Sequence, residues 1–108
     1  MELEKKKCIP CEGGLDPLSQ NDAAALMEKV PGWTLVDAGI KIQRKYSFTD
    51  FVSSLEFVNK LGELAEAEGH HPDISFGWGY VEIVFFTHAI GGLHENDFIM
   101  AAKTNELA

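Results

Sequence analysis

Residues 50–68 constrain the fold more than any other stretch. At about 100° per residue, Phe51, Leu55, Phe57, Val58, Leu61, Leu64 and Ala65 fill an arc of roughly 180°, with Glu56, Asn59, Lys60, Glu63 and Ala67 opposite. The periodicity predicts one long amphipathic helix, and an arc that wide needs more cover than a single sheet face gives. Glu66 falls at the edge of the arc, where a helix carboxylate is ordinarily solvated. The helix must stop soon after Glu68, because Pro72 biases His71 toward extended backbone. The His70-His71 pair therefore sits where helix gives way to strand, at the rim of a sheet.

The rest of the chain supplies partners for this helix. Ser19 caps a helix running to about residue 30, with Asp22 in its first turn, where a carboxylate suits the helix dipole. Pro31-Gly32 ends it. Residues 33–36 read as a short strand and Ala38-Gly39 as a turn. Residues 40–46 alternate Ile40, Ile42 and Tyr46 against Lys41, Gln43 and Lys45, the pattern of a half-buried strand. Residues 74–78 and 80–88 form a second hairpin turning at Trp78-Gly79. Val81, Ile83, Phe85 and Thr87 face one way; Tyr80, Glu82, Val84, Phe86 and His88 face the other. Tyr80, Val84 and Phe86 lack an obvious cover, and apolar patches of this kind mark interfaces, so self-association through the sheet is expected. Gly91-Gly92 makes a tight loop before a last helix over about residues 95–106. The order predicts an α+β fold, α-β-β-α-β-β-α, in which a four-stranded antiparallel sheet carries three helices packed on one face.

At 108 residues the chain is one domain with a single core. Its formal net charge of −8 argues against direct contact with nucleic acid, which needs a basic face. No apolar run approaches the roughly 20 residues that span a bilayer. The charged start, residues 1–7, has no apolar region after it, so no secretory signal is read and a cytoplasmic location is expected. Residues 1–17 form an arm, with residues 18–108 as the domain. The arm holds both cysteines, in Cys8-Ile9-Pro10-Cys11. Two thiolates do not close a structural zinc site. A thioredoxin-type pair follows a strand and opens a helix, whereas here Glu12-Gly13-Gly14 follows, so the segment is read as an N-terminal arm.

Three of the four histidines lie at two corners of the chain, His70 and His71 at one and His88 at the other. Histidine both gives and takes protons near neutrality. Neighbours on extended backbone point to opposite sides, so His70 and His71 do not chelate one metal as an i, i+4 helical pair does. With the hairpin turning at 78–79, residue 70 lies opposite residue 87 or 88. One of the pair then shares a pocket with His88, with a carboxylate close by.

The pattern Glu66-x-x-x-His70-His71-Pro72, then Val81-x-Ile83-x-x-x-Thr87-His88, then Gly92-Leu93-x-x-x-Asp97 resembles the pterin-4a-carbinolamine dehydratase family. Gly32-Trp33 before the first strand is similar to the family as well, and the resemblance covers about residues 18–107. It implies dehydration of 4a-hydroxytetrahydropterin to quinonoid dihydropterin, as part of recycling the pterin of aromatic amino acid hydroxylases. It implies no cofactor, no metal and a homodimer or homotetramer. His70 and His88 become the acid and base, His71 positions the pterin, and Glu66 orients or tunes a histidine. Residues 69–71 (Gly69, His70, His71) and 86–89 (Phe86, Thr87, His88, Ala89) supply pterin contacts, several from backbone. The chain departs from the family pattern at Gly69, often acidic there; at Phe86, often small and polar; and at His94, where Ser or Thr often caps the last helix. His94 is read as a loop histidine near a helix start.

Other readings stay open at this point. Vertebrate relatives also act as dimerisation cofactors for a transcription factor, so a non-catalytic binding role is one. A dehydratase-like protein of molybdopterin metabolism is another, and a metal-dependent hydrolase using His70, His88 and Asp73 is a third.

Overall fold

The computed structural model describes residues 3–9 and 16–108. After a 3-10 turn at Leu3–Lys5 come α1 (Gln20–Met27), β1 (Thr34–Val36), β2 (Lys41–Ser47), α2 (Phe51–Glu68), β3 (Asp73–Gly77), β4 (Tyr80–Phe85) and α3 (Glu95–Leu107). The strands form one antiparallel sheet in the order β1-β2-β4-β3. Local chemistry sets the helix starts. Ser19 Oγ accepts the Asp22 N–H, and Asp50 Oδ1 accepts the Ser53 N–H, each satisfying a donor that the helix itself leaves free.

Register places Ile42 opposite Phe85 and Tyr46 opposite Val81, while β3 brings Ile74 opposite Ile83. Period-2 alternation sends these side chains to one face. There they join Phe57, Leu61 and Ala65 of α2, Phe98 and Ile99 of α3 and Ala23 of α1 in a single core. All three helices contribute to that core, as the pattern predicted. The apolar arc of α2 is wider than this cover: Phe57, Leu61 and Ala65 are buried, while Phe51, Val52 and Leu55 stay exposed. Phe51 stacks on Phe76 of β3 with centroids 5.8 Å apart.

The open sheet face is less bare than the sequence implied. Lys41 Nζ lies 4.6 Å from the Phe86 ring centroid, and Lys45 Nζ 5.1 Å from that of Tyr80. The ammonium groups of β2 thus cap Tyr80 of β4 and Phe86 just past its end through cation–π contacts. The last strand is also shorter than expected. It ends at Phe85, because Thr87 pairs with Gly92 instead and the chain turns into a 3-10 segment at His88–Ile90.

Two tertiary ties complete the frame. Asn105 Oδ1 near the end of α3 accepts from Trp33 Nε1 at 3.0 Å, Arg44 Nη1 at 2.8 Å and the Tyr46 hydroxyl, locking the last helix to the first hairpin. The arm does not stand apart. Leu3 is 4% exposed and belongs to the core. Lys103 Nζ donates to the Glu4 carbonyl at 2.9 Å, and Lys6 pairs with Glu95 at 3.1 Å. This packing explains why α3 is buried on nearly every side from Asn96 to Ala102.

Candidate active site

The site begins where α2 ends. Gly69 adopts the left-handed conformation, φ 67°, which glycine reaches without a Cβ penalty. Both its N–H and that of His70 turn back to the Ala65 carbonyl. The chain leaves in extended form toward β3, so the two histidines diverge. The His70 side chain is 10% exposed, with Nε2 2.6 Å from Asp97 Oδ1 and the ring lying along Phe85, centroids 6.2 Å apart. The His71 side chain is 59% exposed and reaches back to Glu66, Nε2 to Oε2 at 2.5 Å.

Asp97 defines how His70 is held. Its other oxygen, Oδ2, accepts the Thr87 hydroxyl at 2.8 Å and the His94 N–H at 3.0 Å. A carboxylate that accepts these donors also accepts from His70, so the imidazole proton sits on Nε2 and the lone pair of the neutral ring on Nδ1. The β3–β4 register pairs Asp73 with Val84; continued outward, it sets His70 opposite Thr87, which is why both reach the same carboxylate. His94 caps α3: Nδ1 accepts the Asn96 N–H at 3.0 Å, and Asp97 completes the capping box.

Of the residues expected at the site, Gly69, His70, His71, Phe86, Thr87 and His88 line one open cleft of about 280 Å³. Ala89 is not among its lining residues, and Glu66 joins only through His71. His88 is exposed, its ring 4.0 Å from that of Phe86, and no described residue is hydrogen-bonded to that ring; only its carbonyl is engaged, by the Gly91 N–H. Ile9, Pro72 and Asp73 line the cleft without having been expected there. Pro72 and Asp73 simply follow the histidine pair. Asp97 was visible as the end of the third motif, yet its partnership with His70 carries no local signal, and neither does the placement of Ile9. Among the described residues, no three His, Cys, Asp or Glu side chains converge as a metal would require, so the trio His70, His88 and Asp73 is not assembled. Cys8 is half-buried; burial, with the Glu68 carboxylate beside it, pushes its thiol up to about 12. Cys11, together with Glu12-Gly13-Gly14, lies outside the described residues.

An α+β domain with histidines from two separate segments lining one cleft at the end of its sheet has room for a small molecule and side chains that can exchange protons near neutrality. Comparison with known proteins narrows this class. The chain belongs to the pterin 4 alpha carbinolamine dehydratase family, whose model matches residues 16–107. A protein of Methylococcus capsulatus provisionally named pterin-4-alpha-carbinolamine dehydratase is 56% identical over 106 residues, 98% of this chain and 93% of that one. A similarly named protein of Azoarcus sp. is 54% identical over 107 residues, 99% of this chain and 92% of that one. Among solved structures, a transcriptional coactivator/pterin dehydratase from Brucella melitensis superposes with a TM-score of 0.81 at 29% identity, covering 86% of this chain and 99% of that one. A pterin dehydratase-like protein described as a RuBisCO assembly factor of the alpha-carboxysome gives 0.62 at 26% identity, covering 71% of this chain and 89% of that one.

Proposed function

We propose that this protein dehydrates 4a-hydroxytetrahydropterin to quinonoid dihydropterin in pterin recycling, with His70 and His88 as its acid and base. The observation that supports this most is the presence of two unlike histidines in one cleft. His70 is anchored through Nε2 to buried Asp97, whereas the His88 ring is exposed and free of hydrogen bonds to the described residues.

The reaction needs two proton transfers. The C4a hydroxyl leaves as water once a proton reaches its oxygen, and the C4a–O bond breaks with both electrons going to that oxygen. The N5 lone pair forms the C4a=N5 double bond, and the N5 proton passes to a base. One acid and one base active near neutrality meet both demands. With its proton on Nε2 committed to Asp97, His70 exchanges protons through Nδ1. His88 serves the other transfer or substitutes for it. His71, held by Glu66, positions the pterin, and backbone groups of residues 69–71 and 86–89 meet its donor–acceptor edge. The enzyme acts in the cytoplasm, without metal or organic cofactor, as a homodimer or homotetramer; the exposed Phe51, Val52 and Leu55 on α2 support such self-contact.

The test is turnover of 4a-hydroxytetrahydropterin by the pure protein, with chelator present and absent. His70→Ala and His88→Ala each lower the rate by about 10²-fold or less, because one histidine partly replaces the other. The double variant loses far more than either. Full activity in the double variant, or loss of activity on chelation, overturns the mechanism.

A second reading is a protein-binding role without catalysis. It is supported by the two solved relatives, one described as a transcriptional coactivator as well as a pterin dehydratase, the other as an assembly factor. Absence of turnover in the pure protein favours it.

A further inference from the structure

The N-terminal segment reaches the histidine cleft at Ile9, which lines it while remaining 59% exposed. Its backbone is held at two points by one side chain. The Ile9 N–H donates to Asn96 Oδ1 at 3.1 Å, and the Ile9 carbonyl accepts from Asn96 Nδ2 at 2.6 Å. Asn96 is 1% exposed, so a buried amide uses both its polar atoms on this residue. One position earlier, the Cys8 N–H donates to Glu68 Oε1 at 2.9 Å and the Cys8 thiol to the Asn96 carbonyl at 3.8 Å. The strap is therefore tied to the last residue of α2 and to the first turn of α3. These are the two elements that hold His70: Gly69-His70 follows Glu68 directly, and Asn96 immediately precedes Asp97.

Folding alone gives little reason for this arrangement. An apolar side chain contributes to stability by leaving water, and most of Ile9 stays in it. A fixed backbone carrying an open apolar side chain is instead suited to a ligand. A ligand removes that surface from water, and the segment that carries it needs no further ordering.

We propose that Ile9 is a substrate-positioning residue, held by Asn96 and Glu68 in the wall of the histidine cleft, where it packs against the apolar ring surface of the bound pterin. The inference rests on the dehydratase reading. It gives the arm a part in substrate recognition, with Ile9 supplying apolar contact beside groups that hydrogen-bond and exchange protons.

The experiment compares the full chain with its Ile9→Ala and Ile9→Leu variants. It measures turnover of 4a-hydroxytetrahydropterin and binding of 7,8-dihydrobiopterin by fluorescence titration. Ile9→Ala raises both KM and the dihydrobiopterin Kd about tenfold, the scale of lost apolar contact in a pocket. Its kcat stays within about twofold and its melting temperature is unchanged, as a uniform binding loss requires. Ile9→Leu restores both constants. An Ile9→Ala protein with wild-type KM and Kd overturns the inference alone, and so does one that loses melting temperature and kcat at unchanged KM. A wild-type protein that neither binds nor turns over the pterin overturns the dehydratase reading and this inference with it.

Discussion

His70 Nε2 lies 2.6 Å from Oδ1 of Asp97, a carboxylate with none of its side-chain surface in water. Oδ2 of the same carboxylate takes the Thr87 hydroxyl and the His94 N–H, so the group that caps α3 also fixes the proton of the cleft histidine. One residue thereby ties the start of the last helix to the histidine cleft at the end of the sheet.

Asp97→Asn tests that coupling. The amide keeps one acceptor oxygen and replaces the other with a donor. If the oxygen stays with Thr87 and the His94 N–H, the NH₂ faces Nε2, and the ring must present a lone pair there and carry its proton on Nδ1. Turnover falls, by at most the loss in His70→Ala, about 10²-fold. Ring ¹⁵N shifts report the tautomer directly. Wild-type turnover with unchanged ring shifts shows that Asp97 does not set the tautomer of His70.

The Glu66–His71 pair behaves differently because both partners are exposed. Exposed ion pairs contribute at most about 1 kcal/mol and are screened by salt. Glu66→Gln leaves the melting temperature nearly unchanged and raises KM less than His71→Ala does, with kcat altered little in either variant. A collapse of kcat in Glu66→Gln assigns the carboxylate a direct part in proton transfer.

The periodic parts of this fold are legible because period 2 and period 3.6 are properties of neighbouring residues. Ile42 and Tyr46, then Val81, Ile83 and Phe85, mark the covered sheet face in one dimension, and Phe57, Leu61 and Ala65 mark the helix that lies on it. The two histidine corners could be joined for the same reason, since a tight turn at Trp78-Gly79 sets the register between them. Contacts between distant segments leave no such trace. Asp97 is 27 residues from His70, and Asn96 is 87 from Ile9. The end of β4 is not legible along the chain because its alternation continues through Thr87 and His88, while the bridge from Thr87 to Gly92 is settled only once the loop folds back. The arm lacks apolar periodicity, so nothing along the chain announces that Leu3 enters the core.

Leu3 gives the arm a measurable share of stability. Leu3→Ala removes a buried side chain packed against α3 and lowers unfolding free energy by about 2–3 kcal/mol. Deleting residues 1–9 also removes the Lys103 and Asn96 contacts and costs more. Thermal and urea denaturation give both values. A truncated protein that melts like the full chain shows that the arm is only laid on the surface.

Cys8 offers a pH-dependent reading of the same contact. Burial and the Glu68 carboxylate raise its thiol from an ordinary 9.0 to about 12. At pH 8 its thiolate fraction is on the order of 10³-fold below that of an unperturbed thiol; greater basicity recovers part of the reactivity and leaves alkylation about 10²-fold slower. In a Cys11→Ser background, iodoacetamide therefore reacts slowly with the native protein and rapidly once urea unfolds it. The sign of the linkage follows from which state holds the proton. Below about pH 9 both folded and unfolded Cys8 are protonated, and the shift leaves stability unchanged with pH. Between about 9 and about 12 the unfolded thiol has lost its proton while the folded one keeps it, so stability falls as pH rises through this window. Cys8→Ser removes that slope, since serine does not titrate there, and the difference between the two proteins' alkaline melting curves isolates it. Fast alkylation of native Cys8 at pH 8, or equal alkaline slopes in the two proteins, shows that the strap does not shelter the thiol in solution.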